Sequence, residues 1–148
     1  MRSLQEERIE SIKAGLLSSA AFTLAYMVVA LINHFWLAGI SPQLTSLQST
    51  TTAEFLLKLA VCCLSGFLFG IAYRYIVRND HNSHLSEGAV LAFGLVRGLA
   101  TVEVTSNLLA NLYFLTILTI ESLICFGIAR FVLDFALHQS WIEPYHPQ

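Results

Sequence analysis

The stretch AGLLSSAAFTLAYMVVALINHFWL, running from Ala14 to Leu37, contains no aspartate, glutamate, lysine or arginine. A bilayer hydrocarbon core is about 30 Å thick and takes about 20 apolar residues in a helix, so this run can cross it. The apolar segment of a cleaved signal peptide runs to only about 7–15 residues. No small-x-small cleavage site follows the run, so it reads as a retained span. On its N-terminal side, residues 2–13 carry charges of both signs. Ser3-Leu4-Gln5-Glu6 fits a capping box, and Leu4, Ile9 and Ile12 supply a modest apolar stripe. A short amphipathic helix lying at the interface is predicted there. On the other side, His34-Phe35-Trp36 is an aromatic cluster of the kind found at headgroup level, followed by a Ser/Thr-rich loop over 40–54 with Pro42 near its start.

The rest of the chain repeats the pattern. Apolar runs cover about 55–77, 86–108 and 112–137, separated by the polar loop Arg78-Asn79-Asp80-His81-Asn82-Ser83-His84 and by a tight turn near residue 109, where Asn107 and Asn111 are the breakers. One unbroken helix over 86–137 would be about 78 Å long at 1.5 Å per residue, far beyond a bilayer, so a hairpin is predicted. The expected fold is therefore all-α: a single integral membrane domain over residues 1–148, four transmembrane helices arranged as two hairpins, and a short N-terminal amphipathic helix.

Composition agrees. The 148 residues are 55% hydrophobic and 12% charged, against about 25% charged in soluble domains. A net charge of -2 gives no general attraction to nucleic acid. Four spans put Arg2, Arg8, Lys13, Arg74, Arg78 and Arg130 on the face that carries both termini. Lys58 falls on the opposite face and Arg97 within a span. That asymmetry assigns the termini to the cytoplasmic (stromal) side.

Arg97 is the most informative residue, because charges inside a span face the bundle interior or a watery cavity. A turn near 109 sets residues of spans three and four level in pairs, Arg97 with Glu121 and Glu87 with Arg130. Glu87, Gly94, Arg97, Thr101 and Thr105 share a stripe at helical spacing. Arg130 lies about half a turn from Glu121 around span four, so both pairs do not fit one straight seam. Arg130 also has Asp134 one turn on, and Glu87 has Arg74 across the second loop. The Arg97–Glu121 pair reads either as a device that fixes helix register or as a site for a polar ligand, ion or proton. Glu103 lies off the stripe, within reach of headgroups or the Tyr113 hydroxyl. Gly66 and Gly70 form one GxxxG and Gly94 and Gly98 another, spacings that let a second backbone approach. Packing within the chain and dimerisation both use them.

A faint internal repeat relates Phe69-Gly70-Ile71-Ala72-Tyr73-Arg74 to Phe126-Gly127-Ile128-Ala129-Arg130, and Ile12-x-x-Gly15 to Leu85-x-x-Gly88. Two hairpins in parallel arrangement would give it; so would chance between Leu/Gly/Ala-rich helices. Cys62, Cys63 and Cys125 lie in apolar runs and read as buried, inert thiols. His81, His84, His138 and His146 fall on one face with Asp80 and Asp134, but no established metal signature is present. His34, near the outer end of span one, reads either as a tetrapyrrole ligand or as an ordinary interfacial histidine. No nucleotide motif, nucleophile elbow or HExxH occurs, so neither an enzyme nor a cofactor is implied.

The stretch Tyr73-Arg74-Tyr75-Ile76-Val77-Arg78-Asn79-Asp80, continuing through His84-Leu85-x-x-Gly88 to Ala92-Phe93-Gly94-Leu95-Val96-Arg97-Gly98-Leu99, resembles small integral membrane proteins of cyanobacteria and chloroplasts. The resemblance covers about the middle fifth of the chain; the rest matches in hydropathy only. It implies a thylakoid or cytoplasmic membrane of a photosynthetic cell and transfers no catalytic residues. The expected function is a non-enzymatic accessory or assembly protein of a larger membrane complex, a photosynthetic one by the resemblance, partnered by another membrane protein or by copies of itself within the lipid bilayer. The alternatives are a small transporter or channel with a polar path at Arg97 and Glu121, and a pigment- or haem-binding module.

Overall fold

A computed structural model describes residues 4–36, 51–77, 83–100 and 108–145. It contains four α-helices in the order α1 (Leu4–Trp36), α2 (Thr52–Val77), α3 (Ser83–Leu99) and α4 (Leu108–His138). Three are long and apolar enough to cross a membrane: Leu4–Phe35, Thr52–Val77 and Leu112–His138. The expected four spans are thus corrected at the third. Helix α3 has 17 residues, about 26 Å at 1.5 Å per residue. The expected span over 86–108 begins earlier and ends at Leu99, and residues 101–107 lie outside the described ones. The tight turn expected near 109 is also displaced, because Leu108 already opens α4.

The N-terminal region is a second correction. Residues 4–13 form no separate interfacial helix; they continue α1 without a break. Glu6 and Glu7 lie in its first turn, where negative charge complements the helix dipole. Glu7 and Ser11, one turn apart, are buried, and this polar face holds the extension against the bundle rather than on the membrane surface.

The helices pair as two antiparallel hairpins, α1 with α2 and α3 with α4, joined mainly through α1 and α4. Lipid tails are as apolar as leucine, so close packing and interhelical hydrogen bonds hold such pairs together. Glycine provides the approach. A Cβ on Gly66 would lie 2.8 Å from Phe22 Cβ and 2.9 Å from Ser19 Cα; one on Gly70 would meet the Ala14 carbonyl oxygen. In the second hairpin Gly94 faces Leu123, and a Cβ on Gly98 would lie 2.6 Å from Thr119 Cα. Both GxxxG spacings therefore face a helix of the same chain. Ser19 Oγ adds a bond across the first hairpin, donating to the Cys63 carbonyl at 2.9 Å.

One phenylalanine from each helix meets at the centre. The Phe126 ring lies 4.5 Å from Phe22, 5.0 Å from Phe69 and 5.8 Å from Phe93, and Phe69 lies 5.4 Å from Phe93. The repeated Phe-Gly pairs thus share their aromatic half only: Phe69 and Phe126 are both buried, whereas Gly70 is hemmed in and Gly127 meets nothing within 4 Å. Around this core the outer faces stay apolar, as a lipid-facing surface requires, with Leu24, Val28, Leu64, Val96, Ile124 and Phe131 exposed. Hydroxyls on these faces bond their own helix, Ser65 and Thr116 donating to the carbonyls of Val61 and Leu112, and Thr119, which faces Gly98, does the same to Leu115.

Helix α4 ends in a Schellman turn. Trp141 N–H donates to the Ala136 carbonyl and Ser140 N–H to that of Leu137, with Ser140 at φ 57° in the left-handed region. The turn sends Ile142 back into the bundle, where it is buried.

Candidate functional site

The phenylalanine layer divides the interior in two. Helices α1 and α3 run from the termini end toward the loop end; α2 and α4 run back. One turn from the ring layer toward the loop end stand Tyr26 (after Phe22), Arg97 (after Phe93) and Ser122 (before Phe126). Cys62 and Cys125 are buried beside them. Polar groups thus collect on the loop side of an apolar barrier, at a depth about 15 Å below Trp36, ten residues along α1.

Arg97 and Glu121 are level, because Gly94 faces Leu123 and Gly98 faces Thr119 across the same hairpin. They form no ion pair, and the expected polar pair is corrected in this respect. Among the described residues the ion pairs join other groups. The guanidinium turns toward α1 and α2 instead. It donates to Cys62 Sγ at 3.0 Å and lies 4.9 Å from the centre of the Phe22 ring and 5.8 Å from that of Tyr26, a cation–π seat. The Glu121 carboxylate accepts a short hydrogen bond from the Asn33 side-chain amide. Arg97 and Lys58 are the cations within electrostatic reach of Glu121. Ser122 is 3% exposed, and its hydroxyl has no hydrogen-bond partner among the described residues.

A second polar cluster lies at the termini end. Arg74, expected as one charge of the positive face, is 2% exposed. Its guanidinium donates to Glu7 Oε2 at 2.6 Å, Ser11 Oγ at 2.7 Å, the Glu143 carbonyl at 2.8 Å and the Glu7 carbonyl at 3.0 Å. It therefore ties together α1, α2 and the tail after α4. Glu10 joins the same knot, accepting from Lys13 Nζ and from Glu143 N–H. The hint in the sequence was Glu7 and Ser11 at i, i+4 spacing inside the N-terminal charged stretch. Nearby, the Tyr73 hydroxyl donates to Asp134 at 2.5 Å, and Arg130 lies 3.5 Å from Asp134 one turn on. Glu87 is not brought to Arg130; it lies 3.9 Å from His84 on α3.

Other expected residues scatter. Glu103, His81 and His146 lie outside the described residues. His34 and His138 are exposed, and no three His, Cys, Asp or Glu among the described residues are grouped to hold a metal. Cys62 and Cys125 are buried free thiols, but Cys63 is exposed, within 3.3 Å of Thr23 Oγ1. Helix α3 turns an outward stripe of mostly small residues, Gly88, Ala92, Val96 and Ala100, all exposed; a Cβ on Gly88 would meet nothing within 4 Å. Comparison with known proteins finds no matching family model, curated sequence or solved structure.

Proposed function

We propose that the chain is a non-enzymatic accessory or assembly subunit of a larger membrane complex, its termini on the cytoplasmic (stromal) side of a photosynthetic membrane. The observation that carries this reading is the outward face of α3. Its inner face is spent on α4 through Gly94 and Gly98. Gly88, Ala92 and Ala100, with Val96 between them, leave mostly small side chains on the opposite face, a surface on which a second transmembrane helix packs closely. The helix is also the shortest of the four described. A neighbouring protein, or a second copy of the chain, would cover it. The orientation rests on the lysines and arginines gathered at the termini end, and the photosynthetic membrane on the resemblance described above. Purification from native membranes in mild detergent tests the proposal. Specific membrane proteins should co-purify with the wild-type chain and be lost from a Gly88→Leu/Ala92→Leu variant. Recovery of the wild-type chain alone, as a monomer, sinks it.

A second reading, a small transporter or channel, is favoured by one observation: an arginine and a carboxylate stand level inside the bundle, each hydrogen-bonded to another group and not to each other. It predicts ion flux into liposomes that Arg97→Leu abolishes while the protein still inserts. Absence of flux of any tested ion through the wild-type protein would count against it.

A further inference from the structure

We propose that the polar layer on the loop side of the phenylalanine rings binds a compact monovalent anion, held by the Arg97 guanidinium with the Ser122 and Tyr26 hydroxyls. The proposal shares its site with the transport reading, but it concerns binding and not flux.

Charge comes first. Arginine stays protonated in any protein environment. Arg97 stands level with Tyr26, about 15 Å along α1 from Trp36, and its contacts to Phe22 and Cys62 draw it inward. Snorkelling to the surface is not the arrangement seen. No carboxylate lies within 4 Å of it among the described residues, and the one at its depth, Glu121, is engaged by Asn33. The aromatic faces steady the positive charge on one side but accept no strong hydrogen bond.

Hydrogen-bond donors come second. A guanidinium carries five N–H groups; among the described residues one is spent, on a thiol, which is a weak acceptor. Ser122 lies on the buried stripe of α4 with Cys125 and Phe126, and its hydroxyl is unpartnered. Tyr26 stands at the same level on α1, its ring already beside the guanidinium. One fixed positive charge and two hydroxyls, carried by three helices at one level of the bundle, are the donor set of an anion site. A cation would be repelled by Arg97, and a neutral ligand would leave its charge unmet. A divalent anion would overshoot it, with Glu121 at the same depth. The ring layer closes the site toward the termini end, so entry is from the loop end or from the lipid. Chloride or nitrate from water and the carboxylate of a fatty acid share the required chemistry.

The full chain in phosphatidylcholine nanodiscs tests this. Chlorine NMR line broadening reports chloride exchange with the protein, and laurate isotope-labelled at its carboxyl carbon reports the lipid-borne source by its shift. Wild-type protein should broaden the chloride line, with nitrate competing, or shift the laurate carboxyl; the first result assigns an aqueous anion, the second a lipid-borne one. Ser122→Ala and Tyr26→Phe, which remove only a hydroxyl, should each weaken binding by about tenfold, the usual loss for a hydrogen bond to a charged group. Arg97→Gln should abolish it, with circular dichroism confirming the helices. If neither probe responds, or if all three variants match wild type, the site holds water only and the proposal is overturned. Binding without flux in liposomes keeps this inference and removes the transport reading. Cation flux without anion binding does the reverse.

Discussion

The Arg74–Glu7 pair offers the sharpest energetic test. Arg74 is enclosed by two carbonyls, a hydroxyl and one carboxylate, with side-chain exposures of 1% for Arg74 and 12% for Glu7. Glu7→Ala removes the carboxylate paired with Arg74 and leaves the guanidinium buried. Breaking a buried pair from one side costs about 3–5 kcal/mol; the remaining exposure of Glu7 puts this case near the lower figure, about 3 kcal/mol. Arg74→Met strands the carboxylate and also frees the Glu7 and Glu143 carbonyls, for about 4 kcal/mol by the same reasoning. The double variant leaves no buried charge, and its loss should be about 4 kcal/mol, far below the total of the singles. The coupling is then about 3 kcal/mol, at the upper end of what contacting residues show. Unfolding by SDS in mixed micelles, followed by circular dichroism, measures all four corners of the cycle. The wild-type midpoint should also move little with added salt, because buried pairs are poorly screened. A Glu7→Ala loss below about 0.5 kcal/mol together with additive singles would refute the reasoning: the knot would then be hydrated and carry no stabilising weight.

Other substitutions probe other parts of the bundle by the same unfolding measurement. Gly70→Ala should lose about 1–3 kcal/mol, because its methyl group lands on the Ala14 carbonyl oxygen and 2.6 Å from Ser18 Cβ. Gly127→Ala, in open space at the equivalent place of the repeat, should instead gain up to about 1 kcal/mol from helix propensity. Phe126→Ala removes the ring that touches all three other phenylalanines and should lose about 3–5 kcal/mol. Labelling with a membrane-permeant maleimide in detergent should modify Cys63 first and leave Cys62 and Cys125 unreacted until the bundle unfolds; mass spectrometry of the labelled peptides reads the order.

Why some of this was legible in the sequence, and some not, follows from what each signal reports. Hydropathy measures whether a segment is content in lipid, so the all-α architecture and three long apolar helices could be read directly. Hydropathy says nothing of where a helix stops, and the third run, 86–108, mixed a helix ending at Leu99 with the residues after it. Pair register survived this error. Equal depth in a hairpin depends on the midpoint between its arms and not on the form of the turn, so Arg97 and Glu121 are level although residue 109 lies inside α4. What register cannot give is the direction in which a long side chain leaves its helix. The Arg97 guanidinium has rings and a thiol on one side and a carboxylate on the other. A sequence shows the carboxylate at once, because opposite charges attract attention, whereas Phe22 and Cys62 look like ordinary lipid-span residues. Arg74 failed in the opposite sense: a basic residue at the end of a span is normally a surface charge, and only the i, i+4 spacing of Glu7 and Ser11 marked a polar helix face able to receive it.

The two polar clusters impose different demands on the same bundle. At the termini end every donor of Arg74 named above meets an acceptor, the tail is folded over it, and α1, α2 and α4 are tied into one unit. Beyond the ring layer, Arg97 and Ser122 keep hydrogen-bonding capacity that the described residues do not use. Each cluster is built on an arginine, Arg74 buried and Arg97 partly buried, yet among the described residues only Arg74 is paired with a carboxylate. A bundle selected for stability alone would gain by treating Arg97 as it treats Arg74, or by replacing it with leucine. Retaining an unmatched arginine against Phe22, with a helix as short as α3 carrying it, is a stability sacrifice that concentrates where function is expected. The same comparison gives a control for every functional assay proposed above: Glu7→Ala should weaken the fold without changing anion binding per folded molecule, whereas Ser122→Ala should weaken binding and leave the unfolding midpoint within about 0.5 kcal/mol of wild type. If instead both variants shift both readouts together, the loop-end cluster is packing and nothing more.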